Sequence, residues 1–103
     1  MANVHIEIFT SSQCKHCRKA LSLVNEVVTA MQDKRLVIDE RDVLAQIDSA
    51  VALGIVATPA LVIDGELVFT ALPTRKQLHD ALLRRLRENT THSHDDKTRL
   101  QNQ

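Results

Sequence analysis

The chain has no tryptophan and no tyrosine, and its only aromatic residues are Phe9 and Phe69. No basic stripe interleaves with them, which argues against a platform on which single-stranded nucleic acid stacks its bases. An excess of charge is lacking as well. Thirteen Lys and Arg balance thirteen Asp and Glu, which removes the broad electrostatic case for a nucleic-acid or membrane partner. No apolar run approaches the roughly 20 residues of a membrane span. The opening MANVHIEIF has neither the charged start nor the apolar core of a signal peptide. The expected compartment is therefore the cytoplasm, where a permanent structural disulfide is unusual and a cycling one is not. Cysteine is as scarce as the aromatics, with two residues in 103. That length suits one domain with a real core and is too short for two.

Both cysteines fall in one stretch, TSSQCKHCRKA from Thr10 to Ala20. An apolar strand-like run enters it and a helical run leaves it. C-x-x-C spacing sets the second sulfur one helical turn beyond the first, within disulfide reach, and a helix start favours an anion such as a thiolate. Taken alone, Cys14 and Cys17 also suit half of a metal site, a structural disulfide or two unrelated buried thiols. Beside a βαβ pattern the spacing reads as a redox dithiol. A tetrahedral metal site needs more ligands than this pair. His16 is adjacent, but His5, His79, His92 and His94 have no spacing that completes a finger or knuckle, so no metal is expected.

In chain order, Val4 to Phe9 alternates as a strand, with Val4, Ile6 and Ile8 on one face and His5, Glu7 and Phe9 on the other. Glu7 is read as a structural acid near a sheet margin. Ser11 and Ser12 are candidate helix caps, and Ala20, Leu21, Val24, Val27, Val28 and Met31 recur at helical spacing. The expected helix runs from Gln13 or Cys14 to Met31. Leu36 to Ile38 reads as a second strand ending at Asp39, and strand, helix and strand form a right-handed parallel unit. Val43, Leu44, Ile47, Ala50 and Val51 predict a second helix, with Asp39 to Asp42 at its start and Gly54 as its C′ residue. Ala60 to Ile63 is a third strand that begins after Pro59. Asp64-Gly65 marks a hairpin to a fourth strand, Glu66 to Phe69. Thr74 caps a last helix with Leu78, Ala81, Leu82 and Leu86 inward and Arg84, Arg85 and Arg87 near its end. Residues 89–103 have little apolar content and no periodicity, and are expected as a flexible polar tail after a domain of residues 1–88. His92, His94, Asp95 and Asp96 in that tail are read as polar residues without fixed geometry.

The order βαβαββα, the CKHC after the first strand, the Thr-Pro before the third and the Asp-Gly hairpin together resemble the thioredoxin/glutaredoxin superfamily. The likeness is nearest to its small thioredoxin-like redox-active disulfide proteins and covers Val4 to Leu86. It implies an α/β fold with a four-stranded mixed sheet and three helices. It also implies a cis Pro59 beside the dithiol and a Thr58 whose backbone bonds an extended peptide or glutathione. The sequence departs from the family pattern in three places. Ile8 stands where thioredoxins bury an aspartate, SQCKHC replaces WCGPC, and Thr70 to Thr74 replaces the Gly-Gly and aspartate with which glutaredoxins hold the glutathione carboxylate.

The expected function is thiol–disulfide exchange with protein or small-molecule disulfides, with no cofactor. Cys14 attacks and Cys17 resolves. Lys15 and His16 lower the Cys14 pKa. The expected electron donor is a thioredoxin-reductase-like flavoprotein rather than glutathione. The alternatives are a metal-binding or metal-transfer protein using the same pair, and a redox-inactive interaction domain of the same fold.

Overall fold

The computed structural model describes residues 3–94 of the 103-residue chain. Its elements are β1 (Val4–Thr10), α1 (Cys17–Met31), β2 (Leu36–Asp42), α2 (Ile47–Leu53), β3 (Ala60–Ile63), β4 (Glu66–Phe69) and α3 (Arg75–His94). The βαβαββα order is as the sequence implies. The strands form one mixed sheet in the order β2-β1-β3-β4. β1 runs parallel to β2 and antiparallel to β3, and β3 runs antiparallel to β4.

The alternation of β1 divides the core. Val4, Ile6 and Ile8 point to the face where Leu61 and Ile63 of β3 meet Ala20, Val24 and Val27 of α1 and Leu78, Leu82 and Leu86 of α3. Phe9 points the other way, to Ala60, Val62 and Ala50 of α2. Glu7 shares that second face, and its Oε2 accepts from Arg41 Nε of β2 at 3.1 Å. At the hairpin, Asp64 (φ 51) and Gly65 (φ 81) both lie in the left-handed region, as a two-residue turn requires. The turn is pinned to β1, because His5 N–H donates to Asp64 Oδ1 at 2.8 Å and Asp64 N–H donates to His5 O at 2.8 Å.

Four boundaries differ from the sequence reading, those of α1, β2, α2 and α3. α1 starts at Cys17 rather than Gln13 or Cys14, because Ser11 to His16 is a turn in which Cys14 N–H donates to Ser11 O at 3.2 Å. β2 continues to Asp42 rather than ending at Asp39, because its ladder with β1 persists to the pair Thr10 and Asp42. Asp39, Glu40 and Arg41 therefore belong to an edge strand, where charge discourages pairing with another chain. Asp42 alone serves the following turn, accepting from Leu44 N–H at 2.8 Å.

α2 is correspondingly short. Its buried side is Ala50 with the partly buried Leu53, while Leu44, Ile47 and Val51, which the spacing aligned as an inward face, are exposed. Thr74 caps α3 as expected: its Oγ1 accepts from Gln77 N–H at 3.1 Å, and Gln77 Oε1 accepts from Thr74 N–H at 2.9 Å. α3 extends to His94, into the segment expected as a tail, so Arg84, Arg85 and Arg87 are not in its last turn. Arg85 instead donates to Glu66 Oε1 at 2.6 Å. The side chains of His92 and His94, with all of Asp95, Asp96 and the rest of the expected tail, lie outside the described residues.

Candidate active site

The site is built from two loops at one end of the sheet. The first leaves β1 at Thr10 and reaches α1 through Ser11 to His16; the second connects α2 to β3 through Gly54 to Pro59. Ser11 Oγ and Thr58 Oγ1 are hydrogen-bonded at 3.1 Å, which joins them across 47 residues of sequence. The sequence pattern offers Ser11 as a candidate helix cap. Its role as a bridge depends on a tertiary neighbour that no local pattern announces.

Cys14 and Cys17 form a disulfide, with the sulfurs 2.06 Å and the Cα atoms 5.5 Å apart. The two sulfurs are unequally placed. Cys14 lies in the turn and is half-buried, whereas Cys17 is the first residue of α1 and is only 5% exposed. An incoming group therefore meets Cys14. The Thr58–Pro59 peptide bond is cis, as the family resemblance implies. Pro59 is buried and Thr58 half-buried.

The start of α1 is open to an anion. His16 occupies the N-cap position without a side-chain cap, and no acid stands in the first turn. The Ala20 N–H is the donor that returns to His16 O, at 2.9 Å. The amides before it have no acceptor within the helix. Lys15, His16, Arg18 and Lys19 are all exposed around this start, although cations there oppose the helix dipole. Lys15 and His16 sit in the bend before the helix rather than on its first turn.

On the far side of α1 from β2, a groove of about 500 Å³ is lined by Arg18, Lys19, Leu23, Leu72 and Pro73, among others. Leu72 and Pro73 belong to the Thr70 to Thr74 segment, which brings bulk where a glutaredoxin brings glycines. Among the described residues, no group of three or more His, Cys, Asp or Glu side chains is placed to hold a metal ion. None of the described helices is long and apolar enough to cross a membrane.

A thioredoxin-domain family profile matches residues 4–83. The chain is 37% identical over 86 residues to a thioredoxin of Methanocaldococcus jannaschii, covering 84% of this chain and all of that one. It belongs to the thioredoxin family. A probable thioredoxin of Methanothermobacter thermautotrophicus is 33% identical over 79 residues, or 77% of this chain and 92% of that one. Among solved structures, a single-site mutant of a thioredoxin from Halobacterium salinarum superposes with a TM-score of 0.63 at 25% identity, covering 78% of this chain and 72% of that one. With the family's fold and its C-x-x-C disulfide both present, the chain is a thioredoxin-like thiol–disulfide oxidoreductase. Membership in the family thus favours oxidoreduction over the metal-transfer and inactive-scaffold readings.

Proposed function

We propose that this oxidoreductase exchanges electrons with protein disulfides in the cytoplasm, with Cys14 attacking and Cys17 resolving. The observation that carries the assignment is the unequal exposure of the two sulfurs beside the Thr58–Pro59 loop. The Cys14 thiolate attacks one sulfur of a substrate disulfide, forms a mixed disulfide and expels the other substrate sulfur as a thiolate. The Cys17 thiolate then attacks Cys14 Sγ and expels the second substrate sulfur. Two electrons pass from the dithiol to the substrate, and a dithiol donor returns them. Thr58 and Pro59 align an extended substrate segment beside the attacking sulfur.

The uncapped start of α1 supplies the electrostatics. Its unpaired amides, with Lys15 and His16 beside them, favour the Cys14 thiolate over the thiol and so lower its pKa from the reference of about 8.5. The thiolate in turn offsets the unfavourable placing of cations at the helix start. In Cys17→Ser, a disulfide substrate is expected to remain covalently attached at Cys14, visible by mass; Cys14→Ser is expected to be inactive. Trapping on Cys17 as the sole cysteine would reverse the roles.

The electron donor we infer is a flavoprotein reductase or another dithiol rather than glutathione. Glutathione carries two carboxylates that need fixed donors. Exposed cations such as Arg18 and Lys19 contribute about 1 kcal/mol or less each, and Leu72 and Pro73 do not give the close backbone approach that glycines allow. With one small disulfide as substrate, turnover is expected to be faster with NADPH and thioredoxin reductase than with NADPH, glutathione and glutathione reductase. The opposite order would make the protein functionally a glutaredoxin.

A further inference from the structure

α2 and the chain on either side of it turn large apolar side chains into solvent. Leu44 is 74% exposed, Ile47 48%, Val51 69% and Val56 95%. Single exposed aliphatic residues are ordinary. Leu44, Ile47 and Val51, however, are spaced three and four apart, so they share one side of the helix and of the turn that leads into it. The strip ends beside the disulfide loops. Val43 N–H donates to Thr10 O at 2.9 Å, fixing the strip's first end where β1 gives way to the Ser11 to His16 turn. At the other end, Ile55 N–H donates to Ala50 O at 2.9 Å, which holds the returning chain against α2. Val56 then leads in two residues to Thr58.

Charge distinguishes the α2 strip from the α1 start. Asp42 and Asp48 are exposed beside the strip; Asp48 is four residues from Leu44 and three from Val51, on the flank of the same helix side. The exposed Lys15, His16, Arg18 and Lys19 belong instead to the disulfide turn and the start of α1.

We propose that the strip of Leu44, Ile47, Val51 and Val56 docks the segment of a protein substrate next to its disulfide, and selects segments that present two apolar side chains followed by a cation. The occupant is argued from two observations. The strip is continuous with the Thr58–Pro59 loop, at which any substrate disulfide must arrive, and its rim is acidic. The inference rests on the reading of the chain as an oxidoreductase of protein disulfides. Ile47 and Val51 are one helical turn apart, about 6 Å, which matches the roughly 6.5 Å between alternate side chains of an extended peptide. The recognised pattern is therefore apolar-x-apolar followed by Arg or Lys.

The test uses the full chain, fully reduced, and follows loss of its thiols on mixing with excess disulfide. Three probes are compared: a disulfide-linked peptide with Leu-x-Leu-Arg after its cysteine, the same peptide with Ser-x-Ser-Glu, and bis(2-hydroxyethyl) disulfide. The Leu/Arg peptide is expected to react about tenfold faster than the Ser/Glu peptide, since burying two apolar side chains even in part supplies that factor. In the double variant Ile47→Ser/Val51→Ser, both sites being surface positions, the ratio is expected to fall to about two or less. Asp48→Lys alone is expected to lower the preference by about two- to fivefold.

The rate with bis(2-hydroxyethyl) disulfide, which cannot reach the strip, is expected to be the same in all three proteins. A parent without peptide preference, or a double variant that keeps it, overturns the docking proposal. So does a parent that sediments as a dimer and a double variant that sediments as a monomer, since the strip is then a self-interface. Failure of the parent with all three disulfides overturns the oxidoreductase reading instead.

Discussion

α1 and α2 are the two helices that join the disulfide loops to the sheet, and they begin and end alike. Neither has a side-chain cap at its start, and each closes on a left-handed residue, Gln32 at φ 54 and Gly54 at φ 82. Their apolar residues go in opposite directions. α1 lies on the sheet face it shares with α3, so Ala20, Val24 and Val27 have neighbours from β1, β3 and α3. On the opposite face α2 directs the small Ala50 toward Phe9, Ala60 and Val62, with no further helix packed there among the described residues, leaving Ile47 and Val51 outside. Helical periodicity therefore reports a packed face only where a second element covers it. Where none does, the same pattern marks a surface available to something else.

The largest expected effect tests this contrast directly. Val24→Ala removes a fully buried side chain and is expected to cost about 2 kcal/mol, from lost burial and the cavity left behind. Val51→Ala changes an exposed position and is expected to stay within about 0.5 kcal/mol. Urea unfolding of the two variants beside the parent measures both. Equal losses would mean that the α2 strip is covered in the folded protein, and the contrast between the helices would disappear.

The helix starts should separate the two next. An aspartate at an N-cap position stabilises by about 1 kcal/mol, so His16→Asp and Gln46→Asp are each expected to raise stability by a comparable amount. Only His16→Asp should affect the chemistry. Its carboxylate occupies amides at the start of α1 and adds negative charge two residues from Cys14, which is expected to raise the thiol pKa and slow attack at neutral pH. The pH profile of Cys14 alkylation should move up in His16→Asp and stay in place in Gln46→Asp. Movement in both, or in neither, would show that the open start of α1 does not tune the nucleophile.

What the residues revealed in advance divides along the same line. The alternation of β1, the Asp-Gly hairpin and the Thr74 cap are local signals, and each led to the observed element. The starts of α1 and α2 lie later than the spacing predicts, because a turn in one case and a neighbouring strand in the other hold the preceding residues out of the helix. Asp39 to Asp42 has the composition of a helix start, yet pairing with β1 as far as Thr10 holds it as strand. Cys14 stands at helical spacing from Cys17, yet the turn back to Ser11 keeps it outside the helix. In the site, the cysteines stand out by type and spacing, and the Thr-Pro pair by the family resemblance. The Ser11 to Thr58 bond does not, since neither hydroxyl carries a mark of its partner.

The smallest expected effect concerns the helix ends. Past α2 the hydrogen bonds are backbone ones, with Gly54 N–H returning to Val51 O and Ile55 N–H to Ala50 O. Past α1 a titratable contact is added. Asp33 accepts from Arg35 N–H at 2.9 Å, Nε at 3.0 Å and Nη2 at 2.8 Å. The Arg35 guanidinium, with its backbone amide, holds the Asp33 carboxyl down to about 2. The same turn presents Asp33 O to Leu36 N–H and Arg35 O to Val4 N–H, so it ties α1 to both β1 and β2. In the unfolded chain this carboxyl titrates near 3.9. Because the folded pKa is the lower of the two, the contribution is fully present above about pH 4 and is lost as the pH falls through about 2. Solvent screens the pair, which keeps the effect small. Hydrogen exchange, normalised to intrinsic rates, should show protection of the Leu36 and Val4 amides falling between pH 4 and 2 in the parent, beyond any fall at Ile55. Asp33→Asn should abolish that extra fall. An unchanged profile in Asp33→Asn would assign the acid sensitivity of this junction to another carboxylate, the nearest candidate in β2 being Asp39, whose carboxyl its His5 partner also holds below the usual range.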